Sequence, residues 1–295
     1  MGITSTSPPF PPTKARPRRE AATPLVPEEA AAFDEPSDKR RAVRQRSKRA
    51  ALILRVLAPV LLGIALVAAW QIVVQMGRVS EFVLPAPADV AQSFWGSLQS
   101  GSLLQYTRVT ALESLLGCAL GALVALPLGY SIAHSRFVAS TVQPYLAASQ
   151  AVPAVAIAPL IGLWLGYGLT PVVALCALIV FFPMVITTVL GLRMLDQDIL
   201  DAARVEGAGR WALLWHIEFP LALPSILAGL RTSLTLSITG SVVGEFVVGG
   251  NGLGELLIVE RSFADAAGVF VTLFMLALLA AVLYGGVRLI ERRLL

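Results

Sequence analysis

The 295 residues are 56% hydrophobic and only 14% charged, with a mean hydropathy of +0.74 and a formal net charge of +4. A soluble domain carries about 25% charged residues, so an ordinary soluble fold is excluded, as are disordered, collagen-like and disulfide-scaffold chains. The composition leaves a polytopic membrane protein, and the apolar runs below are of helical length, so the expected fold class is all-α.

Residues 1–50 form a distinct segment with 11 Lys/Arg, 6 Asp/Glu and 8 of the 19 prolines. It cannot bury enough apolar surface to offset its ordering entropy and reads as a disordered basic, Pro-rich cytoplasmic tail. The first apolar stretch begins only near Ala50, so it is not a signal peptide. Lys39–Arg49 carries seven basic residues directly before that stretch. Nucleic-acid binding is one reading of this run. A cytoplasmic flank touching anionic lipid is the better one, because residues 51–295 have a net charge of −1 and offer no basic stripe.

The membrane domain occupies 51–295. A spanning helix needs about 20 mostly apolar residues. Val56–Val74 and Ser114–Ile132 are uncharged runs of that kind. Phe137–Leu192 is uncharged for 56 residues, too long for one crossing, and Gly166-Tyr167-Gly168-Leu169-Thr170-Pro171 divides it. Six spans are predicted: 52–75, 109–133, 142–165, 171–192, 222–247 and 266–288. Arg136, Arg193, Arg204, Arg210, Arg288, Arg292 and Arg293 then fall on one side, with only Arg78, Arg108 and Arg261 on the other. This bias puts both termini in the cytoplasm. Between the first two spans, Leu84-Pro85-Ala86-Pro87 is an extended lead-in, with Asp89 able to cap a short amphipathic helix.

The segment 194–221 is the most informative. Asp196 and Asp198 are N-cap candidates for a short helix through Glu206, which Gly207-Ala208-Gly209 ends as an αL cap would. Ala202 and Ala203 present small side chains, and Ile199 adds an apolar anchor. Such a helix suits a groove on a partner or, alternatively, the membrane surface.

Asp201-Ala202-Ala203, three residues, Gly207, nine residues and Ile217-Glu218-Phe219-Pro220 resemble the Glu-Ala-Ala loop of permease subunits of bacterial ATP-binding-cassette (ABC) importers. The spacing matches throughout; Asp201 stands for Glu and Phe219 for Leu. Leu84-Pro85-Ala86-Pro87, Ala228-Gly229-Leu230-Arg231 and Gly252-Leu253-Gly254 resemble further patterns of the nitrate/sulfonate/taurine branch, over about residues 82–292. Gln150-Ala151-Val152-Pro153 and Val243-Gly244-Glu245-Phe246 lean towards members importing pyrimidine thiamine precursors or flavins. The resemblance implies a type I importer permease fold and a translocation pathway for a small solute, either an anion of the nitrate, sulfonate or taurine kind or a thiamine precursor or flavin. It implies an ABC ATPase dimer, a second permease chain and an extracytoplasmic binding protein as partners. Asp201, Ala202, Ala203, Gly207, Ile217 and Pro220 become the ATPase-coupling residues.

The chain is not expected to be an enzyme or to hold a cofactor. A P-loop needs a lysine after its glycines, and Lys14, Lys39 and Lys48, the only lysines, lie in the tail. ATP use therefore falls to a partner subunit. Cys118 and Cys176 lie in apolar runs and read as buried hydrophobes, so no metal site is expected. Arg231 and Glu245 sit within or at the end of the fifth span. They line a pathway or reach the membrane surfaces. Glu113 reads as an interfacial ion pair with Arg108. His134 and His216 receive no role. A secondary transporter or channel is the alternative, but it would call for an intramembrane relay or internal repeats, which are not evident.

Overall fold

The computed structural model describes residues 57–77, 79–80, 82–149 and 151–294; the basic tail lies outside them. It divides into two compact units at Ala65/Leu66, and everything below concerns Leu66–Leu295 unless stated. All regular structure among the described residues is helical. We number the helices α1 Leu57–Gln75, α2 Pro87–Gln99, α3 Ser102–His134, α4 Arg136–Ser149, α5 Ala154–Leu165, α6 Leu169–Arg193, α7 Gln197–Val205, α8 Arg210–Leu213, α9 Phe219–Val248, α10 Leu253–Ser262 and α11 Ala266–Leu294.

Five continuous helical stretches are long and apolar enough to cross a membrane: α1, α3, α6, the run Arg210–Val248 that includes α9, and α11. A further apolar pair of helices is bent, as a broken crossing or a re-entrant loop would be. The segment expected as one span at 142–165 is two helices, α4 and α5, bent by 98°. Pro153 precedes α5 in an extended conformation, as a residue without an N–H favours. The turn expected at Gly166–Pro171 is present, with Gly166 at φ 83° and Gly168 at φ 93°. The short helix α2 starts at Pro87 behind an extended Ala86, so Asp89 lies inside its first turn rather than at the cap.

α6 is the centre of the bundle, packed between α3 and α9. Gly117, Gly121, Ala125 and Gly129 recur every fourth residue on α3 and so share one face. A Cβ on Gly121 would stand 2.7 Å from the Ala177 carbonyl oxygen, and one on Gly129 would stand 2.8 Å from Thr188 Cβ. Without a hydrophobic drive between helices in lipid, such close approach is what holds them together. Val180, Met184, Val185 and Val189 of α6 join Ala122, Ala125 and Ile132 of α3 and Ala222 and Ile226 of α9 in the largest apolar cluster. At the start of the unit, Trp70 stacks on Phe270 with ring centroids 5.4 Å apart, and its indole N–H donates to the Pro85 carbonyl at 3.1 Å.

Candidate functional site

The polar loop between α6 and α9 is built by local capping. Asp196 accepts a hydrogen bond from the Asp198 amide at 3.0 Å and starts α7. The other end closes as a Schellman turn: Ala208 N–H donates to the Ala203 carbonyl and Gly207 N–H to the Arg204 carbonyl, both at 3.0 Å. Gly207 has φ +92°, the left-handed conformation that glycine accepts without penalty.

Leu200 and Ala203 face the chain's own loop, where Leu213 completes a small core flanked by Leu195, Ala208 and Ile217. Ala203 is only 9% exposed, so it is a packing residue of this loop rather than part of its outer surface. The outward side consists of Ile199, Asp201, Ala202, Val205 and Glu206, with Val205 89% exposed. Asp201 and Arg204 pair at 2.7 Å, but both are exposed and the pair adds little stability. Exposed apolar side chains on a short polar helix are the feature expected of a docking surface.

After α8 the chain makes one π turn, Leu214–Glu218, before α9. Pro220, on the second residue of α9, has no N–H to contribute to a regular helical ladder there. The π turn carries Glu218 inward until it is 1% exposed, with Oε1 2.9 Å from His134 Nε2. His134 is the last residue of α3, and Tyr130 lies over its ring at 4.2 Å. The loop is thus tied to the end of α3, a link that neither histidine's position in the sequence revealed. His216 bonds only locally, to the Ala212 carbonyl.

A second polar site lies at the far end of α9. Glu245 is fully buried. Its Oε1 accepts from Thr110 Oγ1 at 2.8 Å and contacts Ser241 Oγ at 3.1 Å. Its Oε2 accepts from the amides of Gly254 and Glu255 at the start of α10. Thr110 Oγ1 in turn accepts from Leu253 N–H at 2.7 Å. Glu113 contacts Ser241 through Oε2 and is itself 1% exposed. The expected ion pair of Glu113 with Arg108 is therefore replaced by a contact with α9, since Thr110, Glu113 and Ser114 all turn to the bundle interior.

Arg231 and Glu245 are not brought together. Arg231 pairs with Glu291 of α11 at 3.1 Å and lies 5.1 Å from the Tyr284 ring centroid, which ties α9 to α11. An apolar cavity of about 460 Å³ opens beside the break between α4 and α5. Its walls include Val152, Ile157, Ile179, Phe182, Ile186 and Leu236, and among the described residues Ser149 alone brings a polar side chain to them. Among the described residues no His/Cys/Asp/Glu cluster could hold a metal ion.

A bundle of helices long and apolar enough to cross a membrane, with a structured polar loop before α9, is the architecture of a membrane permease. Residues 125–295 match the family "Binding-protein-dependent transport system inner membrane component", and the chain belongs to it. It is 46% identical over 225 residues to the riboflavin transport system permease protein RibX of Chloroflexus aurantiacus, covering 76% of this chain and 84% of that one. It is 32% identical to the putative aliphatic sulfonates transport permease protein SsuC of Bacillus subtilis, over 80% of this chain and 85% of that one. It is 27% identical to the taurine transport system permease protein TauC of Escherichia coli, over 78% and 85%. Among solved structures, the inward-facing MetNI methionine ABC transporter contains a chain of the same fold, with a TM-score of 0.62 at 17% identity, covering 67% of this chain and 98% of that one. The protein is therefore a multi-pass membrane permease of a binding-protein-dependent ABC importer, a transport component rather than an enzyme. Membership of this family implies ATPase and substrate-binding partners.

Proposed function

We propose that this chain forms the pathway for a neutral heteroaromatic solute of the flavin kind, handed over by an extracytoplasmic binding protein. The observation that carries the reading is the 46% identity to a riboflavin permease, against 32% and 27% to permeases named for sulfonates and taurine. The cavity at the bend between α4 and α5 supports it. A desolvated sulfonate requires a cation or several hydrogen-bond donors, and the described residues of the cavity wall include no charged side chain. A flat ring system matches such walls, and the volume lies within the range of small-molecule sites, about 300–1,000 Å³.

In the same reading the outward side of α7 seats on an ATPase subunit, with Asp201, Ala202 and Gly207 at or beside the contact. Ala203 and Ile217 shape the loop from within, and Pro220 is exposed at the start of α9. Two permease chains, alike or different, and two ATPases form the core. The ATPase consumes ATP and this chain binds no cofactor. The Arg distribution supports cytoplasmic termini in a bacterial plasma membrane.

Proteoliposomes holding this chain with its ATPase and binding protein provide the test. Riboflavin is expected to accumulate in an ATP-dependent manner and taurine is not. Uptake of taurine without riboflavin would overturn the solute assignment.

A further inference from the structure

We infer that Glu113 and Glu245 act as one positioning unit for transport: Glu113 holds a single carboxyl proton, and Glu245, as the anion, latches α10 to α3 and α9. This inference rests on the permease family and not on the identity of the solute.

The assignment follows from counting hydrogens. The amides of Gly254 and Glu255 donate to Glu245 Oε2. Thr110 Oγ1 already accepts from Leu253 N–H, so its own hydrogen is directed to Glu245 Oε1. Both oxygens of Glu245 are therefore acceptors, as in a carboxylate. Ser241 has one hydroxyl hydrogen and two carboxyl neighbours, Glu113 Oε2 and Glu245 Oε1. Ser241 Oγ lies nearer Glu113 Oε2 than Glu245 Oε1, and a hydrogen supplied by Glu113 along that short contact leaves the Ser241 hydrogen for Glu245, so that both contacts are hydrogen bonds. The alternative places two carboxylates side by side in the bundle interior. Among the described residues neither has an ion-pair partner, and such repulsion is strong where the dielectric is low.

The geometry also explains the glycines around Leu253. A Cβ on Gly254 would lie 2.9 Å from Glu245 Oε2, and one on Gly252 would collide with Glu245 and Thr110. The glycines let the backbone close on the carboxylate. The carboxylate in turn caps the positive end of α10. The link joins three elements across the sequence: α3 through Thr110 and Glu113, α9 through Ser241 and Glu245, and α10 through three backbone amides.

The test uses the complete complex of permease, ATPase and binding protein in lipid, with infrared spectroscopy and binding-protein-stimulated ATP turnover as readouts. The wild type should show a protonated-carboxyl band that disappears in Glu113→Gln, while stimulated turnover in that variant stays within about twofold, because the amide N–H replaces the acid proton. Glu113→Ala should lose stimulation, so the conservative variant separates proton donation from mere bulk. Glu245→Gln should lower stimulated turnover by about tenfold or more, since a charge-assisted cap is lost. If that variant does not reach the membrane, Thr110→Val decides, with a severalfold loss expected. A missing wild-type band, failure of Glu113→Gln to assemble, equal losses in Glu113→Gln and Glu245→Gln, or wild-type turnover in Thr110→Val would each overturn the inference.

Discussion

His134 Nε2 lies 2.9 Å from Glu218 Oε1, so the last residue of α3 is bonded to the last residue of the π turn behind the polar loop. The second oxygen of Glu218 is buried without a partner. The carboxyl thus depends on one contact, which lies where motion of the loop would pass to the helices. His134→Ala should destabilise the assembled complex by about 2 kcal/mol, because a buried carboxyl would lose its one side-chain partner. Adding Glu218→Gln to that variant should recover part of the loss. Thermal melting of the four proteins, wild type included, gives the coupling energy. Additive effects of the two changes would show that the contact carries no weight.

The two sides of α7 make opposite predictions. Val205 is almost fully exposed, so Val205→Glu should leave the fold unchanged and weaken co-purification of the ATPase by about tenfold, the scale of an interface anchor. Ala203 packs beside Leu200 and Leu213, so Ala203→Trp should overpack the loop itself and lower its stability by about 1–3 kcal/mol. Pull-down and melting of both variants separate the cases. If Val205→Glu binds the ATPase normally, the outward side of α7 is not the docking surface.

Packing between spans leads to a third expectation. Gly121 meets the Ala177 carbonyl and Val180. Gly121→Val must push α3 away from α6 and should leave little assembled protein in the membrane. Gly96, which has open space around its Cα, should accept Ala without loss. Membrane-fraction levels and gel filtration in detergent report both. Normal assembly of Gly121→Val would mean that the α3–α6 contact is looser than the structure has it.

These residues also mark how far the sequence could be read. The long apolar helices were legible because length and hydropathy are local properties, and the α7 caps because Asp and Gly act on their immediate neighbours. The bend between α4 and α5 was not, although Ser149, Gln150 and Pro153 stood at it, since the run around it carries no charge and the Gly166–Pro171 turn divides it more strongly. The facing of Ala203 was ambiguous because on a nine-residue helix Ala202 and Ala203 differ only by phase. Glu113, Ser241 and Glu245 meet across more than a hundred residues. No spacing rule connects them, so Glu113 was assigned to its neighbour in sequence, Arg108. His134 and Glu218 were missed for the same reason.

The last expectation concerns pH at the corner between α10 and α11. Glu260 Oε1 accepts from Thr272 Oγ1 of α11 at 2.9 Å, whereas Oε2 is buried without a partner. Asp265 stands in the connecting turn, with Oδ1 accepting from the Gly268 amide at 2.9 Å, and Ala264 beside it has φ 55°, a strained value for a residue with a Cβ. Arg261 is the neighbouring charge on α10 and forms no ion pair within the described residues. Burial first, then the Asp265 carboxylate, pushes the Glu260 carboxyl up to about 7, against the opposing effect of the Thr272 hydroxyl. The folded corner therefore binds a proton that the unfolded chain has already released above the ordinary carboxylate range. Its stabilising effect is complete below that range and is lost as pH rises through about 7. Hydrogen exchange of residues 262–268, corrected for the intrinsic pH dependence, should show faster opening at about pH 8 than at about pH 6. Glu260→Gln should remove that difference and slow opening at the higher pH. Equal corrected rates for the wild type at both values would show that the Glu260 proton does not hold this corner.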